Sequence, residues 1–345
     1  MIPTDLPQFY NTENELPSGC SRVHAYADSL RELYFLEHPT VQKNSFDESA
    51  LLHYIDTHAS KSVWVFYPWR NVAVHIPDEV TYTRLRTARN RNVILDDEQR
   101  AYRNAVVGIA GLSVGSAALH TLVASGGPAS IKIADFDTIE ITNLNRMRAS
   151  LLDVGANKTD VAARLAWEID PYAKIEPWRD GISGESIHEF ISGNPRLHVF
   201  VDEMDDIELK FATRIICRDL RIPVVMATDN GDSAILDVER FDLEPARPIF
   251  HGRVQMPEEA IQRGDRAQFV ELANAIIDIN YFTERQRESV QSIGKTLPGV
   301  PQLATAAAIA GAAVAYAVRM IATNGDLGSG RYVLGCDYMT PKISK

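Results

Sequence analysis

From Ala105 onward the chain repeats one pattern. Short apolar, β-branched runs ("AVVGIA", "SIKIAD", "AKIEPW", "LHVFVD", "IPVVMA") alternate with stretches of helical character. Strands of this kind separated by helices of about 10–15 residues build a parallel sheet covered on both faces. The expected fold is therefore α/β, a doubly wound Rossmann-like sheet. After Ala227 the order loosens into a strand "AILDVERF", a polar helical region near Glu258–Asn280, an Ala-rich helix and a closing strand "RYVLGCD".

The part before Ala105 reads differently. Residues 1–20 look like a loose leader. Residues 21–80 contain an amphipathic helix ("RVHAYADSLRELYFLEHP"), a second helical run ("FDESALLHYIDTHA"), a strand ("SVWVFYPW") and an extended piece ("NVAVHIP"). This is a small α+β unit of its own. Residues 81–345 form the main domain, with a first half at about 105–230 and a second at about 231–345.

Composition excludes several classes. With 45% hydrophobic and 23% charged residues, the 345-residue chain has material for a sizeable core. A formal charge of −11 argues against a nucleic-acid surface, which needs a basic face. The three cysteines (Cys20, Cys217, Cys336) form no C-x-x-C pair and no disulfide framework, which points to no structural zinc and to a reducing, cytoplasmic setting. The acidic N-terminus lacks the pattern of a signal peptide. Leu303 to Val318 is uncharged, but these 16 residues are mostly Ala and Gly, whereas a membrane span needs about 20 predominantly apolar residues. A buried core helix is expected there, and no membrane contact.

The first strand–helix unit, "VVGIAGLSVGSAALHTLVA", carries a glycine turn. Strand, Gly-rich loop and helix N-terminus together form an anion site, because unpaired N–H groups and the helix dipole converge there. Gly111 permits the tight turn, and Ser113 stands where a second glycine is usual, ahead of Gly115. The next strand ends in Asp135, at a distance that suits a carboxylate on ribose hydroxyls. These features alone fit NAD as well as ATP. The continuation "ADFDTIEITNLNR" separates them, since a dehydrogenase has no use for Asp137, Asn143 and Arg146 in this series.

At this point the sequence resembles the ThiF/MoeB/HesA superfamily of ubiquitin-activating-type adenylyltransferases. The likeness rests on the glycine turn, "ADFDTIEITNLNR", "DVGANKTDVAARLAWEIDPYAKIEPW" and "HVFVDEMDD", and covers about Arg89 to Asp337. The spellings "GLSVG", "YPWR" and "LRTARNR" resemble a divergent branch of that group. The resemblance implies that Gly111, Ser113 and Gly115 cradle ATP phosphates and Asp135 holds the ribose, with Asp137 beside it. It implies that Asn143 and Arg146 approach the phosphates and that Lys158 neutralises charge as pyrophosphate leaves. Asp205 would organise Mg²⁺. Arg91 in "RNRNVIL", or failing that Arg89, would reach into a partner subunit's site, which implies a homodimer. The implied activity is ATP-dependent activation of a carboxylate (of a small ubiquitin-like protein, a peptide or a metabolite) as an acyl-adenylate. Nucleotidyl transfer of this kind needs positioning and charge neutralisation more than a general base.

Structural readings stand beside these. Lys158 also reads as a solvated helix-start residue, Arg146 as a partner of Asp137, and Asp205 as the N-cap of the helix that begins near Ile207. The chain departs from the family in its shortened turn, in the absent C-x-x-C pairs, and in having no cysteine between Ala227 and Pro301 to accept a thioester. Cys217 reads as core. The alternatives left open are an NAD(P)-binding oxidoreductase and a non-catalytic nucleotide-binding relative.

Overall fold

The protein is described here by a computed structural model, which covers residues 6–58, 62–254, 272–273, 276 and 279–336. It divides into two compact units, Met1–Asp96 with Trp167–Tyr172, and Asp97–Ala166 with Ala173–Lys345. Most of the polar helical region expected near Glu258–Asn280 lies outside the described residues.

The first unit contains β1 (Gln8–Tyr10), β2 (Ser21–His24), α1 (Tyr26–Glu37), α2 (Glu48–His58), β3 (Ser62–Tyr67), β4 (Val72–Pro77) and α3 (Glu79–Arg86). Its sheet has the order β1-β3-β4-β2, with β2 parallel to β4 and the other pairs antiparallel. Three expectations differ from the structure. The segment expected as a leader supplies β1, paired through Tyr10 to Trp64, while Leu16 and Cys20 pack on Trp64, Phe66 and Ala73. Its sparse apolar residues are spaced to cover one sheet face, which a composition reading misses. The helix expected from Arg22 starts only at Tyr26, because Val23 and its neighbours pair with Val74 on β4. The unit also extends past residue 80. Asp78 caps α3 by accepting the Thr81 N–H, Tyr82 donates to the Ile169 carbonyl, and Arg86 pairs with Asp170 at 2.8 Å.

The second unit follows from α4 (Asp96–Asn104) through β5 (Val106–Ala110), α5 (Gly115–Ala124), β6 (Ser130–Ala134), α6 (Lys158–Ile169) and β7 (Lys174–Trp178). It continues with α7 (Ile187–Ser192), β8 (Val199–Asp202), α8 (Ile207–Asp219), β9 (Val224–Asn230) and β10 (Ser233–Glu239). Beyond these come α9 (Glu284–Ser292), α10 (Ala304–Ala322) and β11 (Gly330–Gly335). The described strands form one sheet in the order β11-β10-β9-β8-β5-β6-β7. The five strands from β9 to β7 are parallel, and β10 and β11 add antiparallel pairs at one edge. Strands β5, β8 and β10 are buried at every position, as expected for strands covered on both faces. The strand order reverses at β5, which has β6 on one side and β8 on the other, and ligands of open α/β sheets bind outside the carboxyl ends at such a point.

Helix α10 contains the uncharged segment considered above for a membrane. By length and composition it could cross one, yet its Ala306, Ala310, Val314 and Val318 are fully covered by the protein. Its small residues serve close packing on α5. A Cβ at Gly311 would lie 2.7 Å from the Ala117 carbonyl carbon and 2.8 Å from the Ala117 Cβ. We expect Gly311→Val to force these helices apart and cost about 1–3 kcal/mol or more, as overpacking does. Thermal denaturation of the full chain measures it.

Candidate functional site

The site is assembled at the carboxyl ends of β5, β6 and β8. Gly111 leaves β5 with φ +89°, a conformation that favours glycine. A Cβ there would sit 2.2 Å from the Glu203 carbonyl oxygen, so the turn also needs glycine to cross the chain leaving β8. Asp135, nearly buried at the end of β6, fastens this turn. Its Oδ2 accepts the Leu112 N–H at 2.7 Å and its Oδ1 accepts the Asp137 N–H at 2.9 Å. Burial pushes its carboxyl above the usual range, against those bonds and the nearby Lys158.

Lys158 opens α6 and is itself buried, so the reading of a solvated helix-start residue is not what the structure shows. Its Nζ lies 2.6 Å from Asp137 Oδ2 and 3.7 Å from Asp135 Oδ2. Asp137 is thereby taken, and Arg146 binds elsewhere. The Arg146 Nε donates to the Ser113 Oγ at 3.0 Å, and Nη1 donates to the Thr142 carbonyl and the Asn145 Oδ1. The serine that replaces the usual second glycine is therefore the group that ties the arginine to the turn. Asn143 is buried beneath it, its Oδ1 accepting the Glu140 N–H at 3.0 Å. Gly115 begins α5, whose first N–H groups face the same turn.

Asp205 lies exposed between two anchored residues. Asp206, rather than Asp205, caps α8 by accepting the Leu209 N–H at 3.0 Å. The Asp205 carboxylate makes no hydrogen bond among the described residues and acts on Arg146 as a nearby charge. Gly111, Ser113, Gly115, Asp135, Asp137, Asn143, Arg146, Lys158 and Asp205 thus share one end of the sheet. Arg91 belongs to the other unit, where it is exposed and forms a backbone bridge with Ile94.

Two parts of this region were not read from the sequence. Asp229, at the end of β9, is a second carboxylate that acts on Arg146, and burial pushes it up to about 6. A polar run "TDNGD" after the apolar part of the strand was the available signal. The other part is a buried ion network beneath the Asp205 loop. Asp202 binds both Lys210 (3.0 Å) and Arg214, and Arg214 also binds Glu239 at 2.6 Å and lies 4.0 Å over the Phe250 ring. Burial pushes Asp202 up, but Lys210 and Arg214 hold it below the usual carboxylate range. Cys217, beside this network, is fully buried, and burial pushes its thiol up, which suits a core residue and not a nucleophile.

A metal is tested by the donors present. Mg²⁺ commonly takes one or two carboxylates and completes its shell with waters and substrate phosphates. An exposed Asp205 that makes no hydrogen bond among the described residues, beside the glycine turn, fits that requirement. Among the described residues no group of three or more His, Cys, Asp and Glu side chains is arranged to hold a metal by itself.

The sheet, its switch point and the glycine turn define a doubly wound α/β nucleotide-binding fold. Residues 87–345 match the ThiF family, and the chain belongs to it. Over 269 residues it is 38% identical to the uncharacterized protein MT1398 of Mycobacterium tuberculosis, a match covering 78% of this chain and 37% of that protein. It is 26% identical over 177 residues to the molybdopterin-synthase adenylyltransferase of Haemophilus influenzae, covering 50% of this chain and 68% of that one. Among solved structures, E. coli MccB with ATP superposes with a TM-score of 0.52 at 18% identity, covering 91% of this chain and 85% of that chain. The chain spans less than two-fifths of the length of the mycobacterial relative.

Arg214→Met tests the support under the site. Removing the guanidinium leaves Asp202 and Glu239 buried without their shared cation, so about 3–5 kcal/mol of stability is expected to be lost. Chemical denaturation of wild type and variant reads the difference.

Proposed function

We propose that the protein is an ATP-dependent adenylyltransferase that activates a carboxylate as an acyl-adenylate and releases pyrophosphate. The observation that carries this reading is the hydrogen bond between Arg146 and the Ser113 hydroxyl, which brings a cation of the "NLNR" series onto the glycine turn. Solved structures of MccB with ATP and with AMPCPP and MccA, and the name of the H. influenzae relative, agree with it.

Each residue has a role in this proposal. The N–H groups around Ser113 and Gly115 receive phosphate oxygens, and Asp135 holds the turn while offering its remaining lone pairs to the ribose. Arg146 and Asn143 address the phosphates. Lys158 exchanges Asp137 for the charge that develops as pyrophosphate departs. Asp205 holds Mg²⁺, which when bound neutralises phosphate charge. The acyl-adenylate, a mixed anhydride, is then attacked at its acyl carbon by a separate nucleophile with AMP as the leaving group, since no cysteine stands between Ala227 and Pro301. A small protein, a peptide or a metabolite supplies the carboxylate, and the first unit contributes to binding it. The cytoplasm is the proposed compartment, consistent with three unpaired cysteines.

We propose a homodimer as the working form. Phe136 (73% exposed), Ile141 (67%), Leu151 (69%) and Leu152 (88%) display apolar side chains on the loops that follow β6, beside the nucleotide residues. The family resemblance assigns the partner's Arg91 a place at the site in such a dimer.

Two measurements test the proposal. Equilibrium binding of ATP with Mg²⁺ is expected for the wild type and to weaken by roughly 10–100-fold in Lys158→Ala and Arg146→Ala, as for lost charge-assisted hydrogen bonds. Asp205→Ala is expected to lose the Mg²⁺-dependent part of the affinity. Absence of wild-type binding, or normal binding by all three variants, refutes the assignment. Sedimentation is expected to give a dimer that Leu152→Asp dissociates; a wild-type monomer at micromolar concentration refutes the assembly.

A further inference from the structure

A hydrogen-bonded chain links the glycine turn to the end of β9 and the start of α10. Ser113 Oγ accepts from Arg146, and Arg146 Nη1 donates to Asn145 Oδ1 at 3.0 Å. Asn145 Nδ2 donates to the Gln302 carbonyl at 2.8 Å, and Gln302 Nε2 donates to Asp229 Oδ2 at 3.4 Å. Gln302 immediately precedes the N-cap of α10, so residues far apart in sequence close around Arg146.

Both ends of this chain are incompletely partnered. The bonds of Arg146 use Nε and Nη1, and Nη2 makes none among the described residues. The Asp229 Oδ1 is buried and likewise makes none. Arg146 is the cation that acts on Asp229, and Asp229 is the stronger of the two carboxylates acting back on Arg146, the other being Asp205. Glu203, on the end of β8, is the remaining acid that feels Asp229.

On the reading that this turn takes ATP, we infer that Asp229, joined to Arg146 through Gln302 and Asn145 and not by a direct ion pair, is the charge that balances the arginine before nucleotide arrives: a positioning residue that loses this cation to the incoming phosphates and accepts a solvent proton as it does so. The proton converts the Asp229 carboxylate to the neutral acid, and no other bond changes. An unpaired carboxylate in a partly buried site next to polyphosphate is costly, and protonation removes that cost.

The sign follows from linkage. Burial already pushes the Asp229 carboxyl up to about 6 while Arg146 acts on it. With Arg146 engaged by phosphate it titrates higher, because its neutralising cation is withdrawn and an anion has arrived. Between those two values binding takes up a proton. Affinity on this account is highest below about pH 6 and falls as pH rises, by up to tenfold for each unit that binding raises the group.

Asp229→Asn is the decisive variant, because it keeps an oxygen for the Gln302 amide and removes only the charge. ATP binding to the full-length chain, without divalent metal, is measured from pH 5.5 to 8.5 for both proteins. Their affinity ratio cancels the nucleotide's own titration. The variant is expected to equal the wild type near pH 5.5 and to bind roughly tenfold more tightly at pH 8. Calorimetry in buffers of different ionisation enthalpy is expected to show proton uptake at pH 7 that is larger in the wild type than in the variant. A ratio that stays constant with pH, or equal proton uptake, overturns the inference while leaving ATP binding intact. No ATP binding by the wild type overturns the nucleotide reading and the inference with it. If Asp229→Asn melts well below the wild type, Asp229→Glu supplies the second arm: restored stability with a retained pH dependence is expected, and stability without it overturns the inference.

Discussion

The two N–H groups that converge on the Asp135 carboxylate hold the rest of the site in place. One comes from the turn after β5 and the other from the loop after β6, so a single side chain sets the spacing of two adjacent strand ends. Everything that follows is registered to it. Lys158 is drawn in by Asp135 and Asp137 together, Asn143 supports the loop that carries Arg146, and Arg146 returns to Ser113 on the turn. Burying such a carboxylate is unfavourable unless its lone pairs are used, and here each oxygen accepts one backbone bond and keeps capacity for a ligand.

A second constraint comes from below. The end of β8 passes so close to Gly111 that no side chain fits there, and the ion network of Asp202, Lys210, Arg214 and Glu239 fixes that strand end from within the core. Buried charges of this kind stabilise a fold weakly compared with apolar packing, but they are severe about geometry. Their effect is to present Asp205 on a short segment anchored at both sides, by Glu203 donating to Ala110 and by Asp206 capping α8. An exposed carboxylate held so firmly suits a ligand that recruits a metal, since little motion remains to be lost on binding.

Much of this was legible in order along the chain. Strand–helix alternation specified the parallel sheet, and the spacing from Gly111 to Asp135 and on to Asn143, Arg146 and Lys158 specified which loops carry polar chemistry. The structural roles offered beside the functional ones were less legible. Asp205 and Asp206 are adjacent and chemically alike, and only the direction of α8 decides that Asp206 is the cap. Arg146 reads in sequence as a partner of Asp137, but Lys158 occupies Asp137 and the arginine bonds to Ser113 instead. In the first unit, β1 and β2 are three and four residues long, too short for periodicity to register, and they exist because β3 and β4 offer edges to pair with.

The sequence by itself determined the class of fold, the glycine turn and the ordered polar series that follows it, because these depend on local period and on residues within a few tens of positions. Only the tertiary structure decided what Ser113, Asp229 and Gln302 do. Their partners lie 33, 73 and 157 positions away along the chain of bonds that joins Ser113 to Arg146, Asp229 to Gln302 and Gln302 to Asn145. No local preference encodes such contacts. They arise when winding of the sheet brings the ends of β5, β6, β8 and β9 to one edge, where burial then makes the charge of each residue depend on its neighbours.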